Sequence, residues 1–169
     1  LFALSHEVAL QLYINFAVTE FTVENVQFLN ALSRLVQDSP DMTLVEISKQ
    51  AHVIFKTFVV KGAKVQVNMP FSVMQAVTVN MAGSAEVDAE RLTPDMLPIA
   101  NSIADVLTWF EPAIDEVVKL IELDSWPRFA QTAEYNTFLN LYRADASMNR
   151  KTRRIGAPQH SPPPPPPPP

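Results

Sequence analysis

The 169-residue chain is long enough to bury one core of ordinary size, and with 47 % hydrophobic residues it is not disordered as a whole. Its formal net charge of −5 hides a split: all 18 acidic residues but only nine of the 13 basic ones lie in Leu1–Ser147. An acidic body argues against a nucleic-acid partner and for a basic protein surface. The absence of cysteine excludes a disulfide framework and a thiolate metal site, as is common in cytosolic proteins. No run of about 18 apolar residues is present, so no transmembrane helix is expected. The chain begins at Leu1 rather than Met, as a piece of a longer protein would.

Nine of the fifteen prolines fall in the last twelve residues, and there are three glycines in all. The rest is poor in helix breakers, which predicts an all-α fold. Leu4, Val8, Leu12 and Phe16 recur at four-residue spacing, the stripe of a first amphipathic helix. Thr22 is placed to cap a second, with Glu24 in its first turn, where a carboxylate suits the helix dipole. Val26, Leu29, Leu32 and Val36 carry it to about Gln37, and DSPD ends it. Thr43 and Glu46 form a capping box that opens a third helix, with Ile47, Ala51, Ile54, Phe55 and Phe58 as its inner face. KGAKVQVNMP (Lys61–Pro70) reads as a turn. Val73, Val77 and Met81 have helical spacing, and MAGSAEVDAE reads as an exposed acidic connection.

Thr93-Pro94 resembles a cap followed by proline at the first helical position, which predicts a helix running on through Ile99, Ile103, Val106, Leu107 and Phe110. Pro112 predicts a break and a restart that reaches Leu123. A last short helix is expected over about Glu134 to Arg143. The domain is thus expected to span residues 1–147. The remaining tail, 148–169, carries Arg150, Lys151, Arg153 and Arg154 and then eight consecutive prolines, which predicts an extended polyproline II segment outside the core. A flexible linker is the bland reading of such a tail. Its cations suit weak attraction to an anionic membrane, and its prolines suit an SH3-, WW- or profilin-type groove.

Two motifs carry more than structure. EFTVENVQF (Glu20–Phe28) and LIELDSWPRF (Leu120–Phe129) resemble the two hallmark segments of the regulator of G-protein signalling (RGS) domain. FVVKGAKVQVN (Phe58–Asn68) resembles a third, with no gap, and Phe110 matches the phenylalanine that opens the family's penultimate stretch. The resemblance covers about Leu1 to Arg143 and implies a two-part helical bundle. It implies a GTP-bound G-protein alpha subunit (Gα) as partner, at the cytosolic face of the plasma membrane, and acceleration of that subunit's GTP hydrolysis. The resemblance implies no cofactor and no catalytic site in this chain, because the reacting groups belong to Gα. The residues it implies in contact with Gα are Glu20, Glu24, Asn25, Asn68, Leu120, Asp124, Ser125 and Arg128. Asp124 would accept from the first switch loop with Arg128 holding it in place, and Asn68 would reach toward the catalytic glutamine.

Simpler readings stand beside these roles. Asp124 and Ser125 suit a helix cap, Arg128 an ordinary pair with Asp124, Glu24 a first-turn charge and Asn68 a turn before Pro70. Trp126 and Phe129 read as core, and His6 and His52 as structural. No paired histidines, phosphate loop or Ser/His/Asp set is present. Two departures from the family pattern are visible. Leu29 stands where the family has tryptophan, and the interval from Asn68 to Asp124 is longer than the family's by roughly twenty residues. The excess is expected within about residues 70–98, as a loop that tunes specificity, blocks binding or is inert. The alternative to an activator is an RGS-homology scaffold or docking module without stimulation.

Overall fold

The computed structural model describes residues 7–84, 86–140 and 142–143. The His6 and Leu4 readings, the 147/148 boundary and the whole tail lie outside them. Six helices follow in order: α1 Glu7–Thr19, α2 Val23–Asp38, α3 Leu44–Phe58, α4 Phe71–Ala82, α5 Ile103–Leu120 and α6 Trp126–Phe129. Residues 133–140 add a seventh, α7, and no strand occurs among the described residues. A π turn, Ile121–Ser125, joins α5 to α6, so the chain is helical without interruption from Ile103 to Phe129. The all-α expectation holds.

The core has two aromatic centres. Phe28 of α2 meets Phe58 of α3 and Phe110 of α5 edge-to-face, with ring centroids 5.9 and 6.0 Å apart. Phe28 and Phe58 belong to two of the sequence segments singled out above, and Phe110 is the separately matched phenylalanine, so these positions converge in the interior. The second centre surrounds Phe129, whose ring lies 5.2 Å from Tyr13, 5.5 Å from Phe16 and 5.1 Å from Tyr135. Edge-to-face pairs of this kind add to the burial of apolar area.

Several expectations hold in detail. Thr43 accepts from the Glu46 N–H while Glu46 accepts from the Thr43 N–H, closing the capping box. Hydrogen bonds to its carboxylate, the Thr43 backbone first, hold the Glu46 pKa below its ordinary value. All five residues expected on the inner face of α3 are buried. Gly83, in the left-handed conformation at φ +69°, ends α4 and donates to the Val79 carbonyl.

Other expectations are corrected. The buried line of α1 is Ala9, Tyr13 and Ala17, not the Val8 stripe; Val8 is 55 % exposed. The small alanines let α1 approach its neighbours closely, and the phenol of Tyr13 finds a partner inside. On α2, Leu35 takes the buried place expected for Val36. Thr22 occupies the cap position of α2 but makes no capping hydrogen bond. Thr93-Pro94 opens only a single 3₁₀ turn, Pro94–Met96, and Ile99 is exposed. The helix begins at Ile103, where Ser102 accepts from the Asp105 N–H. Pro112 breaks nothing. It lies inside α5, and the Thr108 carbonyl that its missing N–H cannot serve faces the Asn80 side-chain amide at 3.5 Å, with the Trp109 carbonyl at 3.4 Å.

The long connection between α4 and α5 is not a free loop. His52 Nε2 lies 2.9 Å from the Leu92 carbonyl, Lys56 donates to the Glu90 carbonyl at 2.7 Å, and Ser48 Oγ accepts from the Ala100 N–H at 3.0 Å. Leu92 and Leu97 are buried, and Val87 and Ala89 pack against the core. Three polar groups on one face of α3 therefore fasten the segment by its backbone. His52 is structural, as the sequence suggested.

Candidate functional site

The site is built where the end of α1 meets the end of α5. α1 closes in a double-bonded turn: Thr22 N–H donates to the Ala17 carbonyl at 2.9 Å and Phe21 N–H to the Val18 carbonyl at 3.3 Å. This pattern needs a left-handed residue at its fifth position, usually glycine. Here it is Phe21, at φ +56°, with 89 % of its surface exposed. A bulky residue in that conformation carries about 1–2 kcal/mol of strain. The surrounding bonds hold this conformation in place, and backbone strain of this kind concentrates at functional segments. Periodicity had no way to find Phe21, because it lies between helices; the signal was an aromatic in a polar turn.

The turn sets Glu20 beside the second motif. Arg128 donates to both oxygens of Asp124, at 2.6 Å to Oδ1 and 3.2 Å to Oδ2, and its Nη2 lies 3.1 Å from Glu20 Oε2. The fork geometry of the guanidinium lets one side chain bind both carboxylates. One arginine thus bridges Glu20 on the α1–α2 turn and Asp124 on the helix end. All three remain partly open to solvent, so the cluster is a surface feature with two carboxylates held at set positions.

The π turn explains how Asp124 and Ser125 part company. Its closing bond runs from Trp126 N–H to the Ile121 carbonyl, five residues back, which fits one extra residue into the turn. Pro127 offers no N–H to the same stretch, which a widened turn tolerates. Asp124 then faces out, and Ser125 faces in. Ser125 is 2 % exposed, and its hydroxyl is hydrogen-bonded to the phenol of Tyr13. The expectation that Ser125 lies on the contact face is corrected: it is an interior strut that fastens the Asp124 helix end to α1. Burial raises the Tyr13 pKa above its ordinary value; the Ser125 bond opposes this, the Asp124 charge adds to it, and Arg128 opposes it.

The remaining expected residues are distributed as follows. Leu120 is half-buried and Glu24 partly exposed. Asn25, expected on the contact face, is buried at 6 % exposure, and its Oδ1 has no hydrogen-bond partner among the described residues. Thr22 Oγ1 is likewise buried and unpartnered. Two unmet oxygens within four residues, at the mouth of α2, are unusual, because buried polar atoms are normally bonded. Asn68 belongs to the α3–α4 connection and makes no bond to the Glu20–Arg128–Asp124 cluster. Val67 and Met69 on either side are buried, and Val67 N–H donates to the Phe58 carbonyl at 2.8 Å. Asn68 is therefore held outward by two anchors, with its amide exposed. No group of three or more His, Asp or Glu among the described residues could hold a metal ion, and no described helix is long and apolar enough to cross a membrane.

The family model of the Regulator of G protein signaling domain matches residues 3–138. This chain belongs to the RGS family. The "Regulator of G-protein signaling 8" of Macaca fascicularis is 29 % identical over 137 residues, 81 % of this chain and 58 % of that protein. The human "Regulator of G-protein signaling 7" is 25 % identical over 151 residues, 89 % of this chain and 26 % of that protein. The "Regulator of G-protein signaling 1" of Equus caballus is 26 % identical over 143 residues, 85 % of this chain and 60 % of that protein. The chain thus spans three-fifths or less of the length of these relatives. The RGS helices bring the three motifs together as a shared core, and the motifs' polar residues surround it.

Proposed function

We propose that this chain is a GTPase-activating protein for heterotrimeric G-protein alpha subunits, acting at the cytosolic face of the plasma membrane. Membership of the RGS family supports the partner class. The observation that carries the reading is the Arg128 bridge, which fixes Glu20 and Asp124 beside the exposed Phe21.

The arrangement suits recognition of loops more than chemistry. Gα hydrolyses GTP slowly by itself, on the order of 10⁻² s⁻¹, with its own arginine and glutamine. A partner accelerates the reaction only by binding the transition-state arrangement more tightly than the ground state. Preset carboxylates accept backbone N–H or hydroxyl groups of the switch loops without reorganising. Asn68 adds an amide that both donates and accepts and needs no charge desolvated. Arg128 acts as a positioning residue, since its hydrogen-bonding capacity is largely taken by the two carboxylates.

The test is single-turnover GTP hydrolysis by a panel of purified Gα subunits, with and without the chain. Acceleration that Asn68→Ala diminishes supports the activator. Binding to the transition-state-mimic form without acceleration supports the alternative, a non-catalytic scaffold.

A further inference from the structure

A groove of about 210 Å³ lies away from the Arg128 cluster, between the end of α3, α4 and the α4–α5 connection. Its floor is apolar: Val60, Phe71, Met74, Val79 and Val87 line it. Phe71 is 73 % exposed although it opens a helix whose other large apolar residues are at least half-buried. A volume of this size is below the roughly 300–1,000 Å³ of a typical small-molecule site. It fits one or two aliphatic side chains presented by a peptide.

One wall of the groove is charged. From Glu86 to Glu90 burial alternates: Glu86, Asp88 and Glu90 are exposed, while Val87 and Ala89 turn to the core. Three carboxylates therefore share the outer side of one short segment. Lys56 binds this segment through the Ala89 and Glu90 carbonyls, so it fixes the backbone and leaves the Glu90 carboxylate open. Asp88 Oδ1 accepts from the Glu90 N–H at 3.0 Å, and its Oδ2 has a loose, solvent-exposed contact with Arg91 at 3.7 Å. Lys61 lines the groove as well. The wall faces outward as an acidic rail above an apolar floor.

The chain itself carries the complement. Arg150, Lys151, Arg153 and Arg154 are its one dense basic cluster, and Met148 and Ile155 flank them with aliphatic side chains that suit the groove's apolar floor. Arg150 lies seven residues beyond Arg143 and Arg154 eleven. At about 3.3–3.6 Å per residue, these cations reach roughly 25–40 Å from Arg143. A globule of this size has a radius of gyration of about 14–15 Å, so the reach is comparable with its full breadth.

We propose that the groove between α3, α4 and the acidic connection is the seat of the chain's own segment 148–155, whose cations lie along Glu86, Asp88 and Glu90 while Met148 or Ile155 enters beside Phe71. Docking there covers Phe71, three residues from Asn68. It ties the length of the α4–α5 connection to the basic stretch, two features that the interaction site leaves without a use. The inference does not depend on the Gα reading, because it concerns two parts of one chain.

The test is zero-length carbodiimide cross-linking of the full chain, followed by peptide mass spectrometry. Lys151 is the only lysine after Arg143, so a bond between it and a carboxylate reports the seat directly. The expected product joins Lys151 to Glu86, Asp88 or Glu90 within one chain. Its yield should fall several-fold in about 1 M salt, where the screening length is near 3 Å. Arg150→Glu/Arg153→Glu/Arg154→Glu, which keeps Lys151, should lose it. Adding Glu86→Arg/Glu90→Arg, which leaves Asp88 to react, should restore it. Cross-links from Lys151 spread over other carboxylates, insensitivity to charge reversal, or products found only between differently isotope-labelled copies would each overturn the proposal.

Discussion

Removing the hydroxyl that joins α1 to the Asp124 helix end gives a prediction with a definite magnitude. Tyr13 and Ser125 are 1 % and 2 % exposed, and each is the other's side-chain partner. Tyr13→Phe leaves the Ser125 hydroxyl buried and unpaired, and Ser125→Ala does the same to the phenol. Either change should destabilise by about 1–3 kcal/mol, the desolvation penalty of an unmet polar group. For a chain of this size about 2 kcal/mol corresponds to a fall of roughly 4–8 °C in Tm. The double variant removes donor and acceptor together with little change of shape, so its loss should fall short of the sum of the singles by about 1–3 kcal/mol. Urea unfolding of the four proteins measures the cycle. Strict additivity would refute the reasoning, because it would mean that the two hydroxyls do not satisfy each other.

Three further outcomes follow from the same structure. The Tyr13 pKa is raised in the folded state. Below the unfolded value near 10 both states keep the proton; above it the unfolded chain ionises first, so stability should fall as pH rises through about 10, until the folded phenol ionises too. Tyr13→Phe should remove that part of the slope in urea unfolding across this range. Phe21→Gly should leave Tm equal or higher, since glycine accepts the left-handed turn without strain, while weakening Gα binding in a pull-down or calorimetric titration; a clear fall in Tm would show that the ring supports the fold. His52→Ala should raise amide exchange across residues 84–100 more than in α2 or α5, because one of three fasteners is lost; uniform exchange would argue that the connection and the core open together.

Much of the fold was legible because several helices announce themselves locally. The α3 capping box is four consecutive residues, and its inner face repeats with helical period. Phe58 and Phe129 were legible as core. What escaped the sequence depends on tertiary partners. Pro112 reads as a break, but its unserved carbonyl is met by Asn80 from α4, thirty-two residues earlier in the chain. Thr93-Pro94 reads as a helix start, but fastening by Ser48, His52 and Lys56 draws the following segment out across α3. The α1 stripe was read one residue out of phase because alanines and a tyrosine form the buried line, and periodicity weights larger apolar residues.

The site was legible in kind and less so in detail. Glu20, Asp124 and Arg128 meet through bonds that no spacing rule shows, since Glu20 is more than a hundred residues away from the other two. Ser125 was misplaced because a regular helix keeps it near Asp124 on the outer side, whereas the π turn swings it inward. Asn68 keeps its exposed position because the Val67–Asn68–Met69 alternation is itself a sequence pattern.

The most direct measurement of the central claim is single-turnover GTP hydrolysis by Gα with the wild-type chain, Asn68→Ala and Asp124→Ala. The account predicts acceleration by the wild type and a loss of transition-state affinity of about 1–3 kcal/mol in each variant, with Tm nearly unchanged because both side chains are exposed. Acceleration unaffected by either substitution would contradict the site. No acceleration and no binding across a panel that includes the source organism's own Gα subunits would contradict the function.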